Sequence, residues 1–469
     1  MKSTLKALVE IISKNIDVLD DALEKRGCPV PSLDDPFTPG SDVANGQPEL
    51  MVTADLACRA ALQLAQIIRL PQLTLLQDSV SHLTSVSMRT AVELHIAEIL
   101  NEAGPEGLHI DVIAEKCNVD STKLGSILRC LAGRWIFKEV APDVYANNRL
   151  SSLLDKGKSF GELKNSPENI YEKPQSGLSA AVVHFSDECL KSSAFFYEAM
   201  TDPKLAFSGE ANHSGFSRAF NTEKSYWEFS EQPDQLARRR RFGVAMSGTQ
   251  GMEPPGLPIV GYQWGSLPDG ATVVDVGGGV GTVALQLAEA FPKLQFIVQD
   301  LPAVVEEGKK AKRFKESKKT AKVTFEAHDF FTPNPVKKPD VFLLKYITHD
   351  WSDMYVKKIL SQLREAAGDK TRLVVMERIV PYTCPLPEGH VVAKVPGVIQ
   401  PQFPPPVTIA FADNASFKAS ALMMTLTNGQ ERTLKHIVDL FASVGWKVES
   451  VVQFEGSGAL PSNICAVPV

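Results

Sequence analysis

The chain reads as an α/β protein, a doubly wound and mainly parallel sheet preceded by a mostly helical domain. Three observations predict this. The stretch Thr272-Val273-Val274-Asp275-Val276-Gly277-Gly278-Gly279-Val280-Gly281-Thr282 passes from β-branched residues through an acid into glycines, and then into VALQLAEAF. That is a strand, a tight turn and a helix in succession. Four more apolar runs follow (LQFIVQD, VTFEAHDFF, VFLLKYITHD and TRLVVMERIVP), each closing on polar residues. Upstream, apolar residues instead recur at spacings of three and four, the period of a buried helix face.

The glycine turn lets the chain reverse and lets a ligand touch backbone, while the following helix aims free N–H groups at that ligand. A dinucleotide fingerprint wants glycine at the first, third and sixth positions. Counted from Gly277 the third is Gly279 but the sixth is Thr282, and the glycines fall at 277, 279 and 281. The next run ends at Asp300, 19 residues beyond Gly281, where an acid can accept hydrogen bonds from ribose hydroxyls. Asp329 and Phe330 end the third run, an acid and an aromatic suited to an adenine amino group and ring. The fourth holds Lys345, with His349 and Asp350 just past it, and the fifth ends near Glu377. Ligands of open α/β sheets sit outside the carboxyl ends of the strands, so five successive ends put polar side chains on one rim.

The 469 residues call for two or three domains, with 44% hydrophobic and 22% charged residues as in ordinary globular proteins. A net charge of −6 and a pI near 5.9 argue against nucleic acid as the main partner. Seven scattered cysteines without C-x-x-C spacing point to reduced thiols and a cytoplasmic location. No uninterrupted apolar run reaches the roughly 20 residues of a membrane span, and no His/Asp/Glu spacing suggests a metal.

In the first half, Leu5, Leu8, Ile12, Ile16, Leu19 and Leu23 mark an amphipathic helix closed by Gly27. Residues 28–50 read as a loop, and ADLACRAALQLAQIIRL as a helix broken at Pro71. These elements, residues 1–86, favour a partner subunit as the surface they cover. In 87–160, SMRTAVELHIAEILNEAG, HIDVIAEKCNV and TKLGSILRCLAGR predict three helices, the third capped at Asp120, and WIFKEVAPDVYANN two strands around Pro142-Asp143. Three helices and a wing describe a winged helix, in which Lys123, Arg129 and Arg134 are too few for DNA and a dimerising role is favoured. Residues 161–240 form a helical linker whose aromatics, from Phe207 to Phe229, read mostly as helix-packing core, with the lining of the apolar part of an acceptor pocket by some of them as the alternative. Lys156 to Lys173 reads as loop. Arg238 to Arg241 cannot share one face, since helical neighbours diverge by ~100°, and read as solvated with one or two bonded to nearby acids. Residues 241–469 form the cofactor domain, interrupted by a Pro-rich insertion at 381–408 expected to be a surface loop.

DVGGGVG, VQDLP, HDFF, LLKYITHDWSD, VVMERIVP and NGQERT together closely resemble the plant- and fungal-type, caffeic-acid-type O-methyltransferases that use S-adenosylmethionine, and the fungal natural-product enzymes most of all. The resemblance covers most of the chain, because that family also carries an N-terminal winged-helix dimerisation domain. It implies a Rossmann-like class I methyltransferase domain and a homodimer. It implies further that His349 is the catalytic base, with Glu377 and Glu431 flanking it. Gly277 and Gly279 would lie under the methionine moiety, Asp300 on the ribose, Asp329 and Phe330 at the adenine, and Lys345 beside the cofactor. Asp350 belongs to the signature and caps the next helix or serves the site. The acceptor implied is a hydroxyl, most naturally phenolic, on an aromatic secondary metabolite.

The chemistry is coherent. A phenol has a pKa of ~10 and a free imidazole ~6.5, so an adjacent carboxylate is needed to raise the histidine's basicity and fix its tautomer. Two other readings stand beside methyl transfer: a methyltransferase-like cyclase that holds the cofactor only for its charge, and a non-catalytic dimeric binding module. Retention of His349, Glu377 and Glu431 favours methyl transfer over both.

Overall fold

A computed structural model of the chain describes residues 3–38, 40–42, 47–251, 253–254, 256–311, 314–315, 322–400, 402–409, 415–454 and 460–469. The chain divides into two compact units, one of Met1–Glu198 with Gly215–Glu253 and one of Ala199–Ser214 with Pro254–Val469. The segment 161–240, read from the sequence as one linker, is thus shared between them.

In the first unit a helix spans Thr4–Arg26, with Ser3 accepting from the Lys6 N–H at its start and Gly27 closing it at φ 64°. It packs against the helix Pro48–Ile68, which starts earlier than its apolar pattern suggested because Pro48 suits a first helical turn. By length and mean hydropathy alone Glu49–Ile68 would suffice to cross a bilayer. The run was not legible as one because Glu49, Asp55 and Arg59 interrupt it; in the fold Arg59 pairs with Asp55.

The stretch expected as one helix over 87–104 is two, His82–Glu93 and Ile96–Ala103. His95 breaks it by taking a left-handed φ of 58°. Helices Ile110–Cys117 and Ser121–Ala132 follow, the latter capped by the Asp120 carboxylate on the Lys123 N–H. β2 (Lys138–Ala141) and β3 (Val144–Ala146) form the expected hairpin, and β1 (Leu108–His109) adds an unforeseen edge to β3. Ile96, Ile99, Leu100, Ile113, Leu124, Leu128, Leu131, Phe137 and Tyr145 make one core beneath it. The expected loop 156–173 holds a short helix, Phe160–Asn165, and Lys156 is buried with its ammonium 2.8 Å from Glu98. Arg238 and Arg241 pair with Glu188 and Asp187, and Arg239 meets Glu231, so the run bonds to nearby acids as expected, through three arginines and not one or two.

The second unit is built on a seven-stranded sheet of order β6-β5-β4-β7-β8-β10-β9. Its strands are β4 Thr272–Val276, β5 Gln295–Asp300, β6 Val323–Ala327, β7 Val341–Lys345, β8 Arg372–Glu377, β9 Trp446–Val452 and β10 Ser462–Pro468. The first five pair in parallel; β10 runs antiparallel to both β8 and β9. β9 and β10 are two strands that the sequence pattern did not reveal.

Strand residues alternate between faces, and both faces are covered. Val274, Val276, Phe342, Leu344, Leu373 and Val375 meet the helices Asp353–Ala366 and Leu434–Ala442 on one side. Val273, Val341, Leu343, Val374 and Met376 meet the helix Thr282–Ala290 on the other. Burial on both sides explains the near-continuous apolar runs. The chain leaves β4 toward β5 and β6, then returns to β7 and β8 on its other side. That reversal opens a crevice at the carboxyl end of β4, where the glycines lie.

The Pro-rich insertion lies along β9. Pro396 accepts from the Val451 N–H at 2.9 Å, the Ile399 N–H donates to Gln453, and Val392 is buried. It covers the exposed hydrogen-bonding edge of the sheet.

Candidate active site

β7 ends at Lys345, and a turn brings the chain back over the sheet. Tyr346 takes φ 55° and donates its N–H to the Met376 carbonyl at 3.0 Å, and a single helical turn, Thr348–Asp350, follows. Glu377, the last residue of β8, holds this turn. Its Oε1 accepts from the Ile347 N–H at 3.0 Å, the Thr348 N–H at 2.7 Å, the Thr348 hydroxyl at 2.9 Å and the His349 N–H at 3.3 Å. Glu431 holds the imidazole instead: His349 Nδ1 donates to its Oε1 at 2.9 Å, whereas Glu377 Oε2 lies 3.7 Å from Nδ1. The two acids therefore have different tasks, one on backbone and one on the ring.

Nε2 is left for another partner, with Asp350 Oδ1 at 3.7 Å. The His349 side chain keeps 13% exposure while Glu431 keeps 1%, so the ring is the part that solutes can reach. Burial works against the imidazolium, but Glu377, Asp350 and Glu431 together outweigh it and lift His349 to about 10. Burial, then the charges of Glu377 and Glu431, push the Asp350 carboxyl up to about 7 despite His349 beside it.

The glycine turn lies at the end of β4. The Gly277 and Gly278 N–H groups both donate to the Gln299 carbonyl, at 2.8 and 3.1 Å. The Gly279 N–H donates to Asp300 Oδ2 and the Leu301 N–H to Asp300 Oδ1, both at 2.8 Å. Gly277 and Gly279 have φ 68° and 59°, which L side chains rarely adopt. A Cβ on Gly277 would lie 2.5 Å from Ile347 Cδ1, whereas one on Gly279 would meet nothing within 4 Å. The turn is thus closed on one side and open on the other. Asp275 is buried beneath it with Oδ2 lacking a hydrogen-bond partner. Burial first, then the charge of Asp300, raises Asp275 to about 7, while Lys345 opposes the rise.

Asp329 Oδ1 accepts from the Phe331 N–H at 2.9 Å, which forms the turn that presents Phe330. The Phe330 ring packs edge-on against Phe331 and Trp351. Gly277, Gly279, Asp300, Asp329, Phe330 and Lys345 therefore line the carboxyl edge of β4 to β7, with His349, Glu377 and Glu431 at β7 and β8. Open backbone, an orphaned buried carboxyl oxygen, acids and an aromatic fit a nucleoside-bearing, positively charged ligand.

A family model for the O-methyltransferase domain matches residues 212–395, and one for the O-methyltransferase dimerisation domain matches 77–157. An O-methyltransferase of Armillaria gallica is 36% identical over the whole of both chains. The chain belongs to the O-methyltransferase family. The 4-O-methyltransferase 1 of Phanerochaete chrysosporium is 35% identical over all of both chains, and the sterigmatocystin 8-O-methyltransferase of Aspergillus parasiticus 34% over 69% of this chain and 70% of its own. Among solved structures, LepI in complex with SAM superposes with a TM-score of 0.66 at 18% identity, covering 89% of this chain and 94% of its own. A structure described as a pericyclic reaction enzyme gives 0.68 at 16%, covering 98% and 100%. At such identities these two show the fold alone.

Other groups in this methyltransferase were not legible from motif spacing. Arg432, buried within GQERT, donates to the carbonyls of Thr348 at 2.8 Å and Trp351 at 2.7 Å, and its Nε donates to Asp353 at 2.9 Å. It clamps the segment carrying Glu431 onto the turn carrying His349. A Cβ on Gly429 would stand 2.1 Å from the His349 carbonyl oxygen, so only glycine allows that approach. The signal for both was the motif itself, in which Glu431 alone was singled out. Asp275 was visible beside the glycines, but nothing in the pattern marked it as buried.

No metal-ligand spacing was found in the sequence, yet donor atoms of His349, Glu377 and Glu431 lie within 4.8 Å of one another. The grouping joins residues up to 82 positions apart, so no local pattern could disclose it. Oε1 of Glu431 and Oε1 of Glu377 already accept hydrogen bonds from the imidazole and the turn backbone, while Oε2 of each acid has no hydrogen-bond partner among the described residues.

Proposed function

We propose that this protein transfers a methyl group from S-adenosylmethionine to a phenolic hydroxyl of an aromatic secondary metabolite, with His349 as general base. The observation that carries the reading is the 2.9 Å hydrogen bond from His349 Nδ1 to buried Glu431, on the same rim as the open glycine turn. The bond fixes the tautomer and leaves Nε2 to take the acceptor proton. Carboxylates that lift the imidazole to about 10 match it to a phenol of pKa ~10, so the proton moves between groups of similar strength.

Gly277 and Gly279 would hold the methionine part of the cofactor, Asp300 the ribose, Asp329 and Phe330 the adenine, with Lys345 beside them. Bound S-adenosylmethionine supplies an activated methyl on a sulfonium. The protein's task is then to hold the acceptor oxygen in line and to receive its proton. The fungal relatives, one named for sterigmatocystin, support an aromatic natural product as acceptor.

A homodimer is supported by the dimerisation-domain match at 77–157 and by the exposed Ile67, Ile68, Leu70, Leu73, Leu75 and Leu76 just before it. Seven scattered cysteines without C-x-x-C spacing support a reducing, cytoplasmic setting.

Incubation with S-adenosylmethionine and a panel of hydroxylated aromatics, read by mass spectrometry, tests the reaction. An added methyl is expected. A rearranged product of unchanged mass would instead establish the cyclase reading, which the fold shared with a pericyclic enzyme keeps in view. Asp300→Ala is expected to weaken cofactor binding about 10- to 100-fold, the worth of hydrogen bonds to a charged group. Calorimetry showing unchanged affinity would remove Asp300 from the ribose site.

A further inference from the structure

Two side chains beside the base turn have no part in the chemistry above. Arg378 directly follows Glu377 at the end of β8. Its Nη1 stands 3.6 Å from Glu431 Oε1, the same oxygen that accepts from His349 Nδ1. The guanidinium also lies over the Tyr346 ring, 4.9 Å from its centroid. Tyr346 in turn stacks on the His349 imidazole, with centroids 5.4 Å apart and planes inclined by 21°. Arg378, Glu431, His349 and Tyr346 therefore close a ring of contacts, each touching the next. Tyr346 reaches its place through a left-handed backbone, φ 55°, a conformation rare for an aromatic residue. Strain of that kind persists only where surrounding contacts enforce it, and it gathers at functional sites.

We propose that Arg378 and Tyr346 form a positioning pair for the base, Tyr346 fixing the plane of the imidazole and Arg378 weakening the grip of the carboxylates on the imidazolium. This rests on His349 being the base. One hydrogen bond at Nδ1 locates an atom but still lets the ring swing through coupled changes of χ1 and χ2. A flat face stacked on the ring removes that freedom, so Nε2 meets the acceptor in one orientation.

The charges around the imidazole are Glu377 from β8, Asp350 from its own turn, Glu431 from the GQERT segment, Arg378 beside Glu431 and Arg432 on the Thr348 carbonyl; Lys345 Nζ lies 5.3 Å from the Tyr346 ring centroid. Three acids against one histidine favour the imidazolium, and a base that keeps its proton cannot take another. Arg378, 3.6 Å from Glu431, is a cation placed to offset them, whereas Arg432 is already paired with Asp353. A neighbouring positive charge disfavours imidazolium, so loss of Arg378 moves His349 titration to higher pH.

The test uses the full-length protein labelled with ¹⁵N-histidine. The His349 ring signals are assigned by their disappearance in His349→Gln and titrated without acceptor. Arg378→Met is expected to raise the midpoint by about one pH unit, with Arg378→Lys restoring most of the difference. The acid limb of kcat/KM moves the same way. Tyr346→Ala is expected to lower kcat about tenfold with KM little changed, as loss of orientation does. Coincident titrations and acid limbs for wild type and Arg378→Met, or full kcat in Tyr346→Ala, would overturn the pairing. If His349→Ala retains methyl transfer, the base assignment fails. The titration still reports the Arg378 coupling by itself, so the two failures are distinguishable.

Discussion

Replacing His349 by alanine is expected to lower methyl transfer by a factor of about 10² to 10⁴, the usual contribution of a positioned general base. Affinity for S-adenosylmethionine should change less than about twofold, because the residues assigned to the cofactor, Lys345 apart, belong to other strand ends. The combination discriminates. A collapsed site would lose both properties, and a histidine with only a packing role would lose neither. Turnover at the wild-type rate, with binding intact by calorimetry, would sink the base assignment. Because the active form is the neutral imidazole and His349 is lifted to about 10, wild-type kcat/KM should climb as pH rises from 7 toward 10.

The second large effect is expected at Glu377, where two substitutions separate charge from hydrogen bonding. Glu377→Ala removes the acceptor of three backbone N–H groups and a hydroxyl inside the protein. Each buried donor left unsatisfied costs about 1–3 kcal/mol, so a loss of at least about 3 kcal/mol is expected, along with activity. Glu377→Gln keeps an oxygen for those donors and removes the charge. Stability within about 1 kcal/mol of wild type is expected, but His349 loses one of its three acids and the acid limb of kcat/KM moves to lower pH. Chemical denaturation and pH profiles of both variants check this. Equal stability of Glu377→Ala and wild type would mean that Glu377 does not hold the turn.

The direction of that shift is opposite to the one expected for Arg378→Met. Removing an acid weakens the base; removing the cation strengthens its hold on the proton. The basicity of His349 is on this reading a balance among side chains on three separate segments.

Much of this was legible in the chain. Strands buried on both faces must be apolar nearly throughout, so VVDV, VFLL and LVVM announce a parallel sheet without any knowledge of its partners. A turn that needs left-handed backbone and room for a ligand needs glycine, so Gly277 and Gly279 announce the crevice. These requirements are local, and a local pattern can carry them. β9 and β10 were missed for the converse reason. VES within Trp446–Val452 and the polar Ser462 and Asn463 dilute their apolar signal, and their strand state comes from pairing with β8 and with each other. The break at His95 was missed likewise, because a single left-handed residue leaves the helical periodicity on either side intact.

The sequence by itself determined the sheet, the glycine turn and the set of polar residues at the strand ends. Only the tertiary structure decided what each acid does. Glu377 grips backbone while Glu431 grips the imidazole, and Arg432 and Gly429 bring that second acid against the turn. Arg378 and Tyr346, unremarkable within their motifs, enclose the base. Hydrogen bonds act over about 3 Å, and residues 82 positions apart reach that distance only when the sheet has formed.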